Sequence, residues 1–334
     1  MLGQGVSIAV TSYRGGRLLL VGVGPDGGLA FDQQDYLRAM GLCYADGRLY
    51  VASLYQIWRL ENLLGRGEYA NAAFDCVLVP RVAHTTGYLD VHDIAVDRAG
   101  RVLFVNTRHS CLATLDDRLS FRPVWKPPFI SALAEEDRCH LNGLAMADGL
   151  PRYATAVAAT DSVSGWRAAL PYGGLLIDIA ADAIVTDQLS MPHSPRWHDG
   201  KLLVLDSGRG ELVTIDPATG TITPIVFCPG FLRGMALHGD YALVATSLPR
   251  GEDFGVLPLQ DALARSDTAP VCGLFVIDLR RGAIVEFLRF DGGVQELFDV
   301  AVLPGIRNPS SYGPGSEAIL GGIRFDPAFA PLAP

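Results

Sequence analysis

The chain has no CxxC pair, no run of five or more like charges, and no apolar stretch near the roughly 20 residues needed to span a bilayer. It also lacks an excess of positive charge. Asp and Glu number 36 against 27 Lys and Arg, a net charge of −9, which argues against a nucleic-acid backbone as the main partner. The opening "MLGQGVSIAVTSYRGGRLLLVGVG" has neither the basic start nor the unbroken apolar stretch of a signal peptide. A cytoplasmic protein without nucleic-acid or membrane partners is therefore expected. Cys43, Cys76, Cys111, Cys139, Cys228 and Cys272 are scattered, and in that setting read as reduced, buried thiols. Ser194, Ser207 and Ser247 have no nucleophile-elbow context, so serine hydrolysis is not expected. "LDSGRGE" (205–211) has no helix after its glycines and is not expected to cradle phosphate.

What is present is a repeat. Among 334 residues with 49% hydrophobic side chains, 37 glycines and 21 prolines punctuate short β-rich runs. "MGLCYADGRLYVAS" (40–53), "HDIAVDRAGRVLFVNT" (92–107) and "NGLAMADGLPRYATAVAATD" (142–161) stack on one another. "HSPRWHDGKLLVLDS" (193–207), "RGMALHGDYALVATS" (233–247) and a truncated "FDVAVLPG" (298–305) complete the series. Each is a strand, a turn with Gly or Asp, and a second strand ending in small polar residues. The spacing leaves room for two further strands per unit, such as "GELVTID" and "TITPIVF", which is the signature of a propeller blade. The short sixth unit is completed by "VSIAVTSY", "RLLLVGV" and "GLAFDQQ" near the start of the chain. The expectation is an all-β, six-bladed β-propeller over residues 1–334, its last blade closed by N-terminal strands (1–35) onto an inner strand at 298–305. Residues 306–334 read as a C-terminal tail. A pair of β-sandwiches would explain neither the repeat nor the truncated unit.

In a blade, the start of the innermost strand and the end of the second open on one face. That geometry collects Met40, His92, Asn142, His193, Arg233 and Phe298 at strand starts, with His140, Glu296 and Asp299 beside them. His92, Asn142 and His193 share one register in three consecutive blades, so they can converge on the axis. Two imidazoles with an amide, or with His140 as a third imidazole, suit a divalent metal such as zinc, iron, calcium or manganese. Asp299 or Glu296 can supply a base or orient a ligand, and Arg233 and Arg196 an anion clamp. Tyr88 is a further acid/base candidate. Asn106, Arg108, His109, Asp161 and Asp206, at or after second-strand ends, join Met40, Phe231 and Phe298 as candidate pocket walls. Polar residues at such strand starts also serve simply to cap strands and bind channel water. "WKPPFISALAEEDRC" (125–139) reads as a Pro turn followed by a short helix over the channel beside His140. His84 reads as part of a loop. The long connections at 160–174 and 247–271 fall on the same face as the histidines, as pocket walls or lids do.

"HLNGLAM" is similar to a strand start of the gluconolactonase and senescence-marker-like propellers. That resemblance implies a metal-binding role for Asn142. "VHDIAVD" and "MPHSPRW" look like strand starts of the peptidyl-hydroxyglycine amidating lyase propeller, which implies that His92 and His193 hold zinc. The gluconolactonase pattern also has a metal-binding Glu and a later Asp, where this chain has Met40 or Thr11 and Arg233 or Asp299. Over nearly its whole length the chain more closely resembles a bacterial family of conserved hypothetical proteins, through "FISALAEEDRCHLNGLA", "MPHSPRWHDGKL", "CPGFLRGMAL" and "ELFDVAVLPG". The expected function is a metal-dependent lyase or hydrolase acting on a small polar, anionic or peptide substrate at the channel, with metal-dependent redox chemistry as a variant. The competing expectation is a non-catalytic propeller that binds a protein or peptide through its loop-rich face.

Overall fold

The computed structural model describes residues 2–249, 255–326 and 328. Val6–Ser12 (β1), Arg17–Val23 (β2) and Leu29–Asp35 (β3) form an antiparallel sheet near the start of the chain. Leu42–Ala45 (β4), Arg48–Ala52 (β5), Gln56–Asn62 (β6) and Cys76–Thr85 (β7) make the next. Then follow Val91–Val96 (β8), Val102–Asn106 (β9), Cys111–Thr114 (β10) and Arg122–Trp125 (β11). Leu141–Ala147 (β12), Leu150–Ala156 (β13), Gly174–Asp178 (β14) and Ala183–Leu189 (β15) form a further sheet. Pro192–His198 (β16), Lys201–Asp206 (β17), Glu211–Ile215 (β18) and Ile222–Phe227 (β19) repeat the pattern. So do Phe231–His238 (β20), Tyr241–Ser247 (β21), Gly273–Asp278 (β22) and Ala283–Arg289 (β23). Asp299–Pro304 (β24) returns to pair with β1, as Val10 opposite Val300 and Thr11 opposite Asp299. The result is a six-bladed β-propeller whose last blade, β24-β1-β2-β3, is closed by the N-terminal strands as the repeat predicts.

The second strand of each blade reads as an almost unbroken apolar run because both of its faces are covered by neighbouring blades. In β1, Ala9 and Val10 are fully buried; in β17, so are Val204 and Leu205. Leu18 and Leu20 pack with Leu49, Leu60 and Leu78 across the junction between the last blade and the first. Each such leucine contributes on the order of 2 kcal/mol by leaving water. Fourth strands face solvent and alternate: β3, "LAFDQQD", runs exposed and half-buried in turn.

Around the axis, the residue after each register position alternates in type. It is Gly41, Asp93, Gly143, Ser194, Gly234 and Asp299 in chain order. A Cβ on Gly41 would stand 3.1 Å from the Asp93 nitrogen, one on Gly143 3.1 Å from that of Ser194, and one on Gly234 2.5 Å from the Asp299 Cα. Glycine is needed there because the next blade's backbone comes that close. At the intervening junctions the polar side chain reaches forward instead. The Asp93 carboxylate accepts the Leu144 N–H at 3.1 Å, the Ser194 hydroxyl donates to the Arg233 carbonyl at 2.8 Å, and Asp299 accepts the Leu42 N–H at 2.8 Å.

Three expectations change. Pro309–Ser311 (β25), within the presumed tail, adds a parallel fifth strand to the blade of β4–β7 by pairing with Cys76–Leu78. Its Ser311 N–H and Gly313 N–H donate to Asp32 and Gln34 of β3, so this segment also grips the last blade. The stretch 126–138 holds no helix. Its backbone donors go elsewhere: Glu136 and Asp137 N–H to the Arg108 carbonyl, and Ser131 N–H to Asp161. His84 lies in β7 opposite Ile57, in a strand rather than a loop.

Candidate functional site

The channel opens at one end into a 540 Å³ cavity. Strand starts and second-strand ends meet there, as blade geometry requires. Tyr88, His92, Arg108, His140, Arg233 and Phe298 are among its walls, together with Tyr13, Asp90, Asp137, Trp166 and Met191. The His92 ring lies 4.9 Å from that of His140 and 6.3 Å from that of His193, centroid to centroid.

His92 and His193 are held by one device. Two residues before each, Asp90 and Met191 adopt left-handed backbone (φ 54° and 46°), and His140 does the same two residues before Asn142 (φ 51°). This conformation turns the Asp90 and Met191 carbonyls back onto the rings, each 2.9 Å from Nδ1. The same Nδ1 atoms lie 2.8 Å from the Thr107 hydroxyl and 3.0 Å from that of Ser207. A carbonyl can only accept, so each Nδ1 carries the proton and each Nε2 is a bare lone pair. Burial pushes the His92 pKa down to about 4, with His140 and Arg233 adding to the shift and Asp90 opposing it. Burial, then Arg233, pushes His193 well below its ordinary value. Both rings are neutral at pH 7, the form that binds metal. The His193 Nε2 is buried and meets no hydrogen-bond partner among the described residues, and nor does the Asn142 Nδ2. Buried polar atoms left in that state are uncommon.

His140 is fixed differently. Its Nδ1 lies 3.0 and 3.1 Å from the two oxygens of Asp137. Asp137 also accepts the Trp166 indole N–H at 2.9 Å, and the Trp166 ring packs 4.4 Å from His140. Trp166 comes from the 160–174 connection, where Gly165–Ala169 forms a short 3-10 helix. Asp137 and Trp166 were invisible as site residues because neither lies in a repeated strand. The only sequence signal was an Asp three residues before a His.

The remaining expected residues divide. Asn142 has the register of His92 and His193, but it is buried with its Oδ1 taking the Thr155 hydroxyl at 2.8 Å; His140 is the one that faces the cavity. Phe231 packs 5.6 Å from His193, beneath the cavity. Arg196 and Asp299 belong to the other half of the channel. The Arg196 guanidinium is spent on Asp93 at 2.8 Å and on the carbonyls of Leu144, Pro195 and Met235, so it is not an anion clamp. Asp299 accepts the N–H groups of Leu42 and Val300. Its pKa rises to about 8 through burial and the Asp93 charge, against the pull of Arg196. Neither it nor Glu296, buried 3.9 Å from Arg14, is a wall of the cavity.

Met40 is core, packed among residues that include Tyr50, Ile57 and Phe104. Asn106 accepts the His109 N–H, and His109 turns away onto Phe121. Asp161 is tied to Arg138 and Asp206 to Arg209, both away from the cavity. Burial raises the Tyr88 phenol pKa, so it stays protonated and can donate but not act as a base. Burial likewise pushes Cys43, Cys76, Cys111, Cys139, Cys228 and Cys272 up to about 12, and all six are free thiols.

Fold and site together define a six-bladed propeller with a histidine-bearing axial mouth. The chain belongs to the family described as a domain of unknown function, DUF4915, which matches residues 1–311. No curated protein matches it. Among solved structures it is similar to a chain of a nidogen/laminin complex, at 12% identity and a TM-score of 0.56, over 90% of this chain and 98% of that one. The WD40 domain of Neurospora crassa Pan2 aligns over 75% of this chain and 66% of that one, at 12% identity and a TM-score of 0.41. The first likeness is one of fold. No helix among the described residues is long and apolar enough to cross a membrane.

Proposed function

We propose that the axial mouth is a metal-dependent enzyme site, of lyase or hydrolase type, for a small polar or anionic substrate. The observation that carries this reading is the pair of imidazoles His92 and His193, both neutral and both fixed through Nδ1, with the His193 Nε2 buried and without a hydrogen-bond partner among the described residues. Metal-bound histidines are oriented in this way, with the second nitrogen tied to a carbonyl or carboxylate. The resemblance of "VHDIAVD" and "MPHSPRW" to zinc-holding strand starts points to the same pair.

Among the described residues, no three His, Cys, Asp or Glu side chains already converge as ligands. The proposed core is therefore His92 and His193, with the Asn142 amide as third donor. Turning that amide over sets its Nδ2 against the Thr155 hydroxyl and frees Oδ1 toward the axis. Imidazole donors favour zinc or iron over manganese or calcium. A metal held there supplies Lewis acidity or an activated water. The chain's own residues supply the rest. His140, oriented by Asp137, takes or gives a proton at Nε2. Arg233, 4.4 Å from the Phe298 ring centroid, places positive charge at the cavity wall.

Elemental analysis of purified protein tests the reading. About one equivalent of a transition metal per chain is expected, lost in the His92→Ala/His193→Ala double variant. Wild-type protein without stoichiometric metal, or a double variant that retains it, removes the proposal.

A further inference from the structure

We infer that Arg38, seated over the rings of Tyr13 and Tyr88, forms an anion subsite at the rim of the axial cavity, so that the substrate carries a carboxylate or phosphate group. The inference deepens the enzyme reading by naming the substrate class, but it rests on residues that take no part in the metal site.

The observations begin with stacking. The Arg38 guanidinium carbon lies 5.5 Å from the Tyr13 ring centroid and 5.8 Å from that of Tyr88. The Arg108 guanidinium also lies 4.8 Å from the Tyr88 centroid, and the Phe298 ring, which carries Arg233, stacks on Tyr13 at 6.0 Å. Three guanidinium groups thus lie against three aromatic rings along the rim of the cavity. A guanidinium stacked on a ring keeps its N–H fork in plane and available, which suits two-point recognition of an oxyanion.

Charge accounting separates Arg38 from its neighbours. Arg108 is paired with Glu135 at 2.7 Å. Tyr13 is shared between the cavity and an adjoining recess that Arg38 lines. Of the other charged groups in that recess, Arg14 lies 3.9 Å from Glu296, and Asp35 is paired with Arg17. Arg38 is exposed and makes no ion pair among the described residues. Two acids of the neighbouring cavity are already engaged: Glu136 by Arg138, and Asp137 by His140 and Trp166. Asp90 stands beside Tyr88 and His92.

The backbone adds an independent observation. Arg38 has φ +50°, a conformation a long side chain seldom adopts, and such conformations gather at ligand sites. It is held by its neighbours, with Ala39 N–H donating to the Tyr36 carbonyl and Leu54 N–H to that of Leu37. The left-handed turn presents the side chain toward the two phenols rather than outward.

The test is calorimetric titration of inorganic phosphate, and separately of malonate, into full-length protein stripped of metal with chelator. Without metal, ligation of the probe to an ion cannot contribute. Saturable binding is expected. Arg38→Gln should weaken it about tenfold, the scale of a charge-assisted hydrogen-bonded contact, and Arg38→Lys should fall between. The His92→Ala/His193→Ala variant should bind the probe as wild type does, which separates this subsite from the metal proposal. Tighter binding of phosphate assigns a phosphorylated substrate, and tighter malonate a carboxylate. Absence of saturable binding for both probes, or equal affinity in wild type and Arg38→Gln, overturns the inference.

Discussion

The two halves of the axial channel are built by the same six strands and behave in opposite ways. On the cavity side stand His92 and His193; one residue further along each strand, on the other side, stand Asp93 and Ser194. The lower groups are spent. Asp93 holds the Leu144 N–H and the Arg196 guanidinium, Ser194 holds the Arg233 carbonyl, and Asp299 holds Leu42. The upper imidazoles are tied at Nδ1, and the buried Nε2 of His193 has no hydrogen-bond partner among the described residues. Below them the channel widens into a funnel walled by apolar groups such as Ile94, Met146, Met235 and Val302, with Arg196 among its walls. Conspicuous charge is therefore a poor guide to chemistry in this channel. The buried polar groups that assemble the ring satisfy one another, and those left for a ligand do not.

Asp93→Ala should break the comparison hardest. It takes the carboxylate from the half-buried Arg196 guanidinium and removes a junction between blades, a loss expected at about 2–3 kcal/mol. Chemical denaturation should show it as a lowered midpoint. The upper half should respond in the reverse sense. His193→Gln keeps a polar side chain near the axis and should move stability by no more than about 1 kcal/mol, yet metal content should fall below stoichiometric. A large stability loss there would make His193 one more structural pin.

The smallest effect is in pH dependence. With its folded pKa raised to about 8, Asp299 retains a proton between about pH 4 and 8 that the unfolded chain releases. Its contribution is thus fully present below pH 4 and lost as pH rises through 8. Asp299 faces Asp93, Arg196 and Cys43. Asp299→Asn should flatten that falling limb in unfolding curves taken across the range. A limb as steep as in wild type would show that another group sets it.

The fold was legible because a blade repeats its strand pattern, and six inner-strand starts could be aligned without knowing any contact. The register of His92, Asn142 and His193 followed from the same alignment. What the alignment could not carry was direction out of a loop. Left-handed backbone at His140 swings its ring into the cavity while Asn142 stays buried against Thr155, a difference that a shared register does not show. Arg196 and Asp299 were misplaced because alternate residues of an inner strand serve opposite halves of the channel, and proximity in sequence does not say which. Asp137, Trp166, Tyr13 and Arg38 come from connections or strand ends outside the aligned core, where periodicity gives no signal.

The alternation of glycine with Asp or Ser around the axis has a consequence of parity. Each glycine accommodates the backbone of the blade after it, and each polar residue reaches the one after that, so the ring is a cycle of three paired units. Such a cycle closes only on an even count. Inserting or deleting a single blade would set two glycines side by side with nothing to span the gap, or two bulky groups where only one fits. Length variation in this architecture should therefore come in steps of two blades.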